Sequence, residues 1–182
     1  MAKNIVTKTA HRRRREQKTD FRKRLKLIKS KKHRLIIRKS LNNVVCQIVD
    51  YNPKGDRTIL TVKSSQLKKL GWTGHTGNVP AAYLTGLLCG TRAKEKKITE
   101  CILDLGLQIS TKGSRLYATL KGVIDAGLNI PHSKEILPND ERIKGKIIDD
   151  YRKRSLSKNF DEIVIKIVKT PASRKKEKVL RV

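Results

Sequence analysis

The chain has 182 residues, with 44 Lys or Arg against 16 Asp or Glu and a formal net charge of +28, which indicates one domain with strongly basic appendages. A surplus of this size needs a polyanion, so nucleic acid or an anionic membrane surface is the expected partner. Aromatic residues make up 4% of the chain, which disfavours a module that stacks many bases, and no apolar run suits a signal peptide or a membrane span.

The charge is concentrated in an N-terminal basic arm. Between residues 11 and 39, 15 Lys or Arg stand against two acids, a net charge of +13 in 29 residues. Residues 1–18 have no apolar periodicity, so we expect them to stay extended unless they are bound.

The second part of the arm has the pattern of a helix. Thr19-Asp20 is a capping signal, and Phe21, Leu25 and Ile28 then recur at helical spacing. Two readings are open: a solvated helix, or a helix pinned by this apolar stripe that offers cations around its other faces. The scarcity of acids nearby favours the second.

Three short β-branched runs follow, at 35–37, 44–49 and 58–62. Turn residues separate them, at 42–43 and 52–56. Runs of this length joined by tight turns predict an antiparallel three-strand meander.

The middle of the chain predicts helices packed on that sheet. Asn78 can cap a helix with Pro80 in its first turn, and the small residues of this helix would let it lie close on a sheet. Alternation over residues 103–109 predicts a strand, and Ser114 is expected to cap a further helix that ends at Gly127.

The C-terminal part predicts more helix. A third core helix fits residues 140–154, with four apolar side chains facing inward: Ile143, Ile147, Ile148 and Tyr151. Residues 159–169 suit either a helix or, around 163–165, a strand, and we favour the helix. The tail from Pro171 is basic and expected to be disordered alone. The element order predicts an α/β domain with helices packed on a mixed sheet.

Signals for catalysis are weak. The sequence lacks a nucleophile elbow, a Walker loop and a dinucleotide fingerprint, and Asp50 and Asp104 are two commonplace strand carboxylates rather than the cluster that a two-metal nuclease needs. The glycine-bearing loop at 71–77 is either a cradle for an RNA phosphate or a plain flexible connector. A membrane-surface helix would carry more Trp, Phe and Leu on one face than this arm does.

The cysteines predict a reducing compartment. Cys46, Cys89 and Cys101 are odd in number and lie in apolar segments, so they are expected to be reduced core residues of a cytosolic protein. Without a C-x-x-C pair, and with four scattered His, a zinc site is not expected. We predict neither a metal nor a cofactor.

Four blocks of the sequence carry a family resemblance. They are 12–21 (RRRREQKTDF), 43–48 (NVVCQI), 78–88 (NVPAAYLTGLL) and 118–133 (ATLKGVIDAGLNIPHS). Their order and content closely resemble the archaeal large-subunit ribosomal protein L eighteen family. The bacterial form is shorter, and residues 138–143 resemble the archaeal and eukaryotic branch, whereas 155–182 have no counterpart that we can place.

The resemblance implies a ribonuclease-H-like α/β scaffold without catalysis, on the large subunit of the cytoplasmic ribosome. It implies binding to 5S rRNA and to large-subunit rRNA in the central protuberance, beside neighbouring large-subunit proteins, with no membrane and no small-molecule substrate. An RNA-processing enzyme on the same scaffold, or a general RNA chaperone, is the alternative.

The expected organisation is an arm and helix at 1–33, a core at 34–133 and a helical extension with a basic tail at 134–182. By the family pattern, the RNA-contacting arm would include eight residues: Arg12, Arg13, Arg14, Arg15, Lys18, Thr19, Arg22 and Arg24. We add five candidate contacts from the same basic segment and from the 71–77 loop: Lys26, Lys29, Arg34, Trp72 and His75.

Overall fold

Four strands form one mixed sheet. They are β1 (His33–Lys39), β2 (Val44–Asp50), β3 (Arg57–Lys63) and β4 (Cys101–Asp104), and their order across the sheet is β3-β2-β1-β4. β1 to β3 are an antiparallel meander, and β4 pairs in parallel with β1. The structure, a computed structural model, describes residues 9–152 and 155–169. The α/β class and the meander are confirmed; the ribonuclease-H-like designation stays a prediction.

Seven α-helices lie within the described residues. Two belong to the arm, α1 (Arg12–Arg15) and α2 (Phe21–Lys29), and five follow the meander: α3 (Val79–Glu95), α4 (Arg115–Asp125), α5 (Asp140–Lys144), α6 (Lys146–Arg152) and α7 (Leu156–Lys169). Short 3-10 helices span Ser64–Leu70 and Lys134–Ile136. In the described ranges, no helix has the length and apolarity needed to cross a bilayer.

One face of the sheet packs against α3 and α4. Alternation along β1 and β2 buries Leu35, Ile37 and Ile48 completely on this inner face. The helices approach each other closely because glycine stands at the crossing: a Cβ at Gly86 would collide with the carbonyl oxygen of Thr119. The small residues predicted for α3 therefore serve helix–helix contact as well as packing on the sheet.

The three cysteines are free and buried, as predicted. Cys46 lies on β2, Cys89 on α3 and Cys101 on β4. Burial, reinforced by the neighbouring Cys89, raises the pKa of Cys101 to about 12. The pKa of Cys46 is also raised, first by a hydrogen bond with Cys89 and then by burial.

The predicted strand at 103–109 is wrong beyond Asp104. The Asp104 carboxylate accepts a hydrogen bond from the backbone N–H of Gly106 at 2.9 Å, and Gly106 has a φ of 59°, so the chain turns there. Leu107 and Ile109 continue the alternation in sequence but are 50% and 80% exposed. The turn at Gly106 therefore ends the strand, although the apolar alternation continues in the sequence.

The predicted helix at 140–154 is interrupted. Gly145 has a φ of 82° and separates α5 from α6, which turns the second half away from the core. Ile143 is buried as predicted, but Ile147 and Tyr151 are 59% and 86% exposed. α7 confirms the helix favoured for 159–169. The predictions for residues 1–8 and for the tail from Pro171 lie outside the described residues.

Candidate nucleic-acid interface

The arm is more ordered than its sequence predicts. Arg12 to Arg15 form one helical turn, where an extended segment was expected. The Nε of Arg13 donates to the Oγ1 of Thr19 at 2.8 Å, which ties this turn to the start of α2. Asp20 caps α2 as predicted, accepting from the backbone N–H groups of Arg22 and Lys23 at 2.9 and 3.1 Å, and these bonds, that from Lys23 foremost, lower its pKa.

The apolar stripe does not pin α2. Phe21 and Leu25 are 37% and 55% exposed, so the prediction is wrong for these two, and only Ile28 of the stripe is half-buried. The helix instead turns Leu27 and Arg24, both half-buried, toward the sheet. An Nη2 of Arg24 donates to the Oδ2 of Asp56, in the turn between β2 and β3, at 3.0 Å. An ion pair, rather than the stripe, holds the helix.

Arg34 is a buried centre of charge and not a surface cation. Its side chain is 3% exposed, with Nη2 at 2.5 Å from the Oδ2 of Asp56 and Nη1 at 3.1 Å from the Oδ2 of Asp104. A buried guanidinium must be paired in this way to be tolerated. Predicted as an RNA contact from its charge alone, Arg34 lies inside the protein and supports the surface from below.

A basic groove lies between α2 and the outer face of the sheet, the face opposite α3 and α4. Its volume is about 1060 Å³, and its floor includes Ile36 and Leu103. Eight cationic residues line it: Arg13, Lys18, Lys23, Arg24, Lys26, Arg34, Arg38 and Lys39. Three acids line it as well: Asp20, Asp56 and Asp104. The two last acids are held by Arg24 and Arg34, so a positive surplus remains.

Several cations of the arm are exposed and have no carboxylate within 4.0 Å in the described part of the chain: Arg14, Arg15, Arg22, Lys23, Lys26 and Lys29. Arg12 and Lys18 share the one carboxylate of Glu16, at 3.6 and 2.8 Å. Like charges brought together without partners repel one another, and an anionic ligand relieves that repulsion. The arrangement is suited to binding a polyanion.

The 71–77 loop is firmly held, which disfavours the flexible connector. Trp72 is 4% exposed, and its indole N–H donates to the carbonyl oxygen of His75 at 3.3 Å. The backbone N–H of Thr73 donates to Asn159 of α7 at 3.2 Å. A buried indole offers no face to a base, so Trp72, chosen from sequence as an RNA contact, supports the loop from inside. His75 is exposed, and its Nδ1 accepts from the backbone of Gly77 at 3.0 Å.

The sequence matches the family of ribosomal large subunit proteins 60S L5 and 50S L18 over residues 7–99 and 93–133. The chain belongs to this family. The matched segments contain the arm, the whole sheet, α3 and α4, so they include the basic groove. The family places the protein on the large subunit of the ribosome, in association with rRNA and ribosomal proteins.

The two strand carboxylates considered for catalysis have other partners. Asp104 is bound to Arg34, and Asp50 lies at the exposed end of β2, with its Oδ1 at 3.6 Å from the Nδ1 of His33. Across residues 9–152 and 155–169, no group of three His, Cys, Asp or Glu is disposed to hold a metal ion.

Sequence reasoning missed four contributors to the groove: Lys23, Arg38, Lys39 and Asp56. Arg38 and Lys39 were counted in the charge of the arm but not chosen, although their place after Arg34 on one strand could have singled them out. Asp56 was interpreted as a turn residue. Its pairing with Arg24, 32 residues away, leaves no local signal in the sequence.

Proposed function

We propose that this large-subunit protein binds 5S rRNA through the arm and the basic groove, and helps attach it to the large rRNA in the central protuberance. In this role it is a structural scaffold and performs no catalysis. Membership of the 60S L5 and 50S L18 family supports the ribosomal part of the proposal.

The observation that carries the proposal is the segregation of charge. The apolar helices cover the inner face of the sheet, whereas cations of the arm, among them the unpaired Lys23 and Lys26, line the groove on its outer face. Guanidinium groups bind phosphate bidentately, and long cationic side chains adapt to an irregular backbone. RNA helices present phosphates and 2′-hydroxyls by shape, which suits such a surface better than a base-reading element.

The proposed contacts follow from exposure. They are the arm residues Arg12, Arg13, Arg14, Arg15, Lys18, Arg22, Lys26 and Lys29, with His75 from the loop. Thr19 and Arg24 belong to the same surface but are already bonded, to Arg13 and Asp56. Arg34 acts beneath it as a structural support, whereas Trp72 supports the 71–77 loop, which does not line the groove.

The test is a titration of the full chain against 5S rRNA and against a structured RNA of equal length, at matched salt. We expect tighter binding to 5S rRNA. Equal affinity for the two RNAs would favour the general RNA chaperone, and RNA shortened in the bound fraction would favour the processing enzyme. Sequencing of RNA that is captured with the protein from cells gives an independent reading.

A further inference from the structure

We infer that Asp56 is a positioning residue for RNA binding, an acid that holds α2 over the outer face of the sheet and thereby sets the shape of the basic groove. The inference rests on the proposed function, because it concerns how that surface is kept ready for RNA.

The geometry is a chain of four charged groups across the groove. The Oδ2 of Asp56 accepts from Arg24 of α2 at 3.0 Å and from Arg34 of β1 at 2.5 Å. Arg34 is fixed in turn by Asp104 of β4, at 3.1 Å. A single carboxylate oxygen therefore links α2 to β1, a central strand of the sheet.

The link matters because, beyond the three-residue connection from α2 to β1, little else fastens the helix. Among the described residues, no other hydrogen bond or ion pair joins α2 to the sheet. Its apolar contact is limited, since Phe21 and Leu25 are exposed and only Leu27 and Ile28 are half-buried. The positions of the α2 cations relative to the sheet thus depend on the pair between Arg24 and Asp56.

Arg34, the buried charge beneath this link, depends less on Asp56 than α2 does. If the Asp56 carboxylate is neutralised, Arg34 keeps its pair with Asp104 and is not left as an uncompensated buried ion. We therefore expect Asp56→Asn to fold while α2 loses its tether. The side chain of Asp56 is 26% exposed, so part of its contact with Arg24 is screened by water.

The decisive experiment asks whether neutralising Asp56 strengthens or weakens RNA binding. Removing an acid from a basic RNA-binding surface should tighten binding if only net charge matters. The positioning role predicts the opposite: Asp56→Asn should lose about tenfold in affinity for 5S rRNA. Its dependence on salt should become shallower by about two phosphate contacts, because α2 cations disengage. Asp150→Asn, an exposed acid on α6 with the same change in charge, is the control and should bind as the wild type does.

A structural role alone would lower the melting temperature and leave the salt slope unchanged. If Asp56→Asn does not fold, Arg24→Gln cuts the same link from the other side and leaves Asp56 paired with Arg34. Its loss of affinity should exceed that of Arg22→Gln, which removes one exposed cation of the same helix without cutting the link. Equal losses in the two variants would overturn the inference. Wild-type affinity and slope in a folded Asp56→Asn protein overturn the inference. A wild type without preference for 5S rRNA overturns the proposed function instead.

Discussion

Arg34 and Arg14 carry the same guanidinium group in opposite surroundings. Arg34 is buried and bound to two carboxylates, whereas Arg14 is exposed and has no carboxylate within 4.0 Å in the described part of the chain. A count of positive charges treats the two alike. Burial separates the arginines that build the surface from those available to a ligand.

The exposed arginines allow charge to be separated from geometry. Changing Arg13, Arg14 and Arg15 together to Lys keeps the net charge but removes the planar forks that bind phosphate bidentately. Each lost fork should cost about 1 kcal/mol, so affinity for 5S rRNA should fall by about a hundredfold in total. The salt slope should stay the same, because the number of cations is unchanged.

The matched control changes Arg142 and Arg152 to Lys, exposed positions outside the family match, and should leave binding unaltered. Two titrations at equal salt decide the matter. Wild-type affinity in the triple variant would reduce the arginine run to a generic cationic segment.

At the scale of elements, two helix starts that look alike in sequence differ in structure. The Asn78 side chain accepts from the backbone N–H of Ala81 at 2.8 Å and caps α3, as predicted. Ser114 precedes α4 but makes no capping bond, and its buried hydroxyl has no partner among the described residues. Ser114 thus occupies the predicted N-cap position of α4 but lacks the side-chain bond of a capping serine.

A pair of alanine variants should expose this difference. Asn78→Ala should lower the free energy of unfolding by about 1 kcal/mol, the usual cost of a lost cap. Ser114→Ala should be neutral or stabilising, because it removes a buried hydroxyl that makes no hydrogen bond. Urea denaturation followed by circular dichroism measures both. Equal destabilisation in the two variants would contradict the assignment.

The helix α7 is capped by a side chain from its neighbour. Asp149 of α6 accepts from the backbone N–H groups of Leu156 at 2.7 Å and Ser157 at 2.9 Å. Its burial acts to raise the pKa of Asp149, but the hydrogen bonds from Ser157 and Leu156 outweigh it and hold the pKa below the ordinary 3.8. The charged carboxylate is therefore favoured in the folded state.

The lowered pKa of Asp149 predicts how the stability of the fold depends on pH. A lowered pKa means that Asp149 stabilises the fold above pH 3.8 and that this contribution is lost as pH falls through the still lower folded value. Asp149→Asn should melt below the wild type near neutral pH, and the gap should narrow in strong acid, where the wild type is protonated too. Asp150→Asn, one residue away and exposed, should show no such gap. A gap independent of pH would refute the capping role.

At the scale of the whole molecule, the charge of +28 should dominate the energetics of binding. If about six to ten phosphates are neutralised, affinity for 5S rRNA should fall on the order of a thousandfold between roughly 50 and 200 mM salt, with the slope known for duplex DNA. Filter binding at several salt concentrations measures it. A nearly flat dependence would exclude a mechanism centred on the arm.

Much of this fold could be predicted from sequence because its signals are local. The meander, α3 and α7 follow from apolar periodicity and turn residues. The stop after Asp104 and the break at Gly145 were missed because turn chemistry competes there with an apolar pattern that continues. In the site, the charge of the arm was foreseeable, but the pairing of Arg24 with Asp56 is a long-range contact that no local pattern announces.

The three buried thiols make the rate at which the core opens measurable in the native protein. Cys46, Cys89 and Cys101 sit on two strands and a helix of the same core, and none is accessible while that core is closed. Because the reactive species is the thiolate, burial and a raised pKa suppress alkylation further. The alkylation rate of each cysteine therefore reports how often the core opens around it. Alkylation of the three sites, followed by mass spectrometry with and without RNA, would reveal whether the sheet and α3 open as one unit and how far RNA slows the opening, with no substitution in the chain.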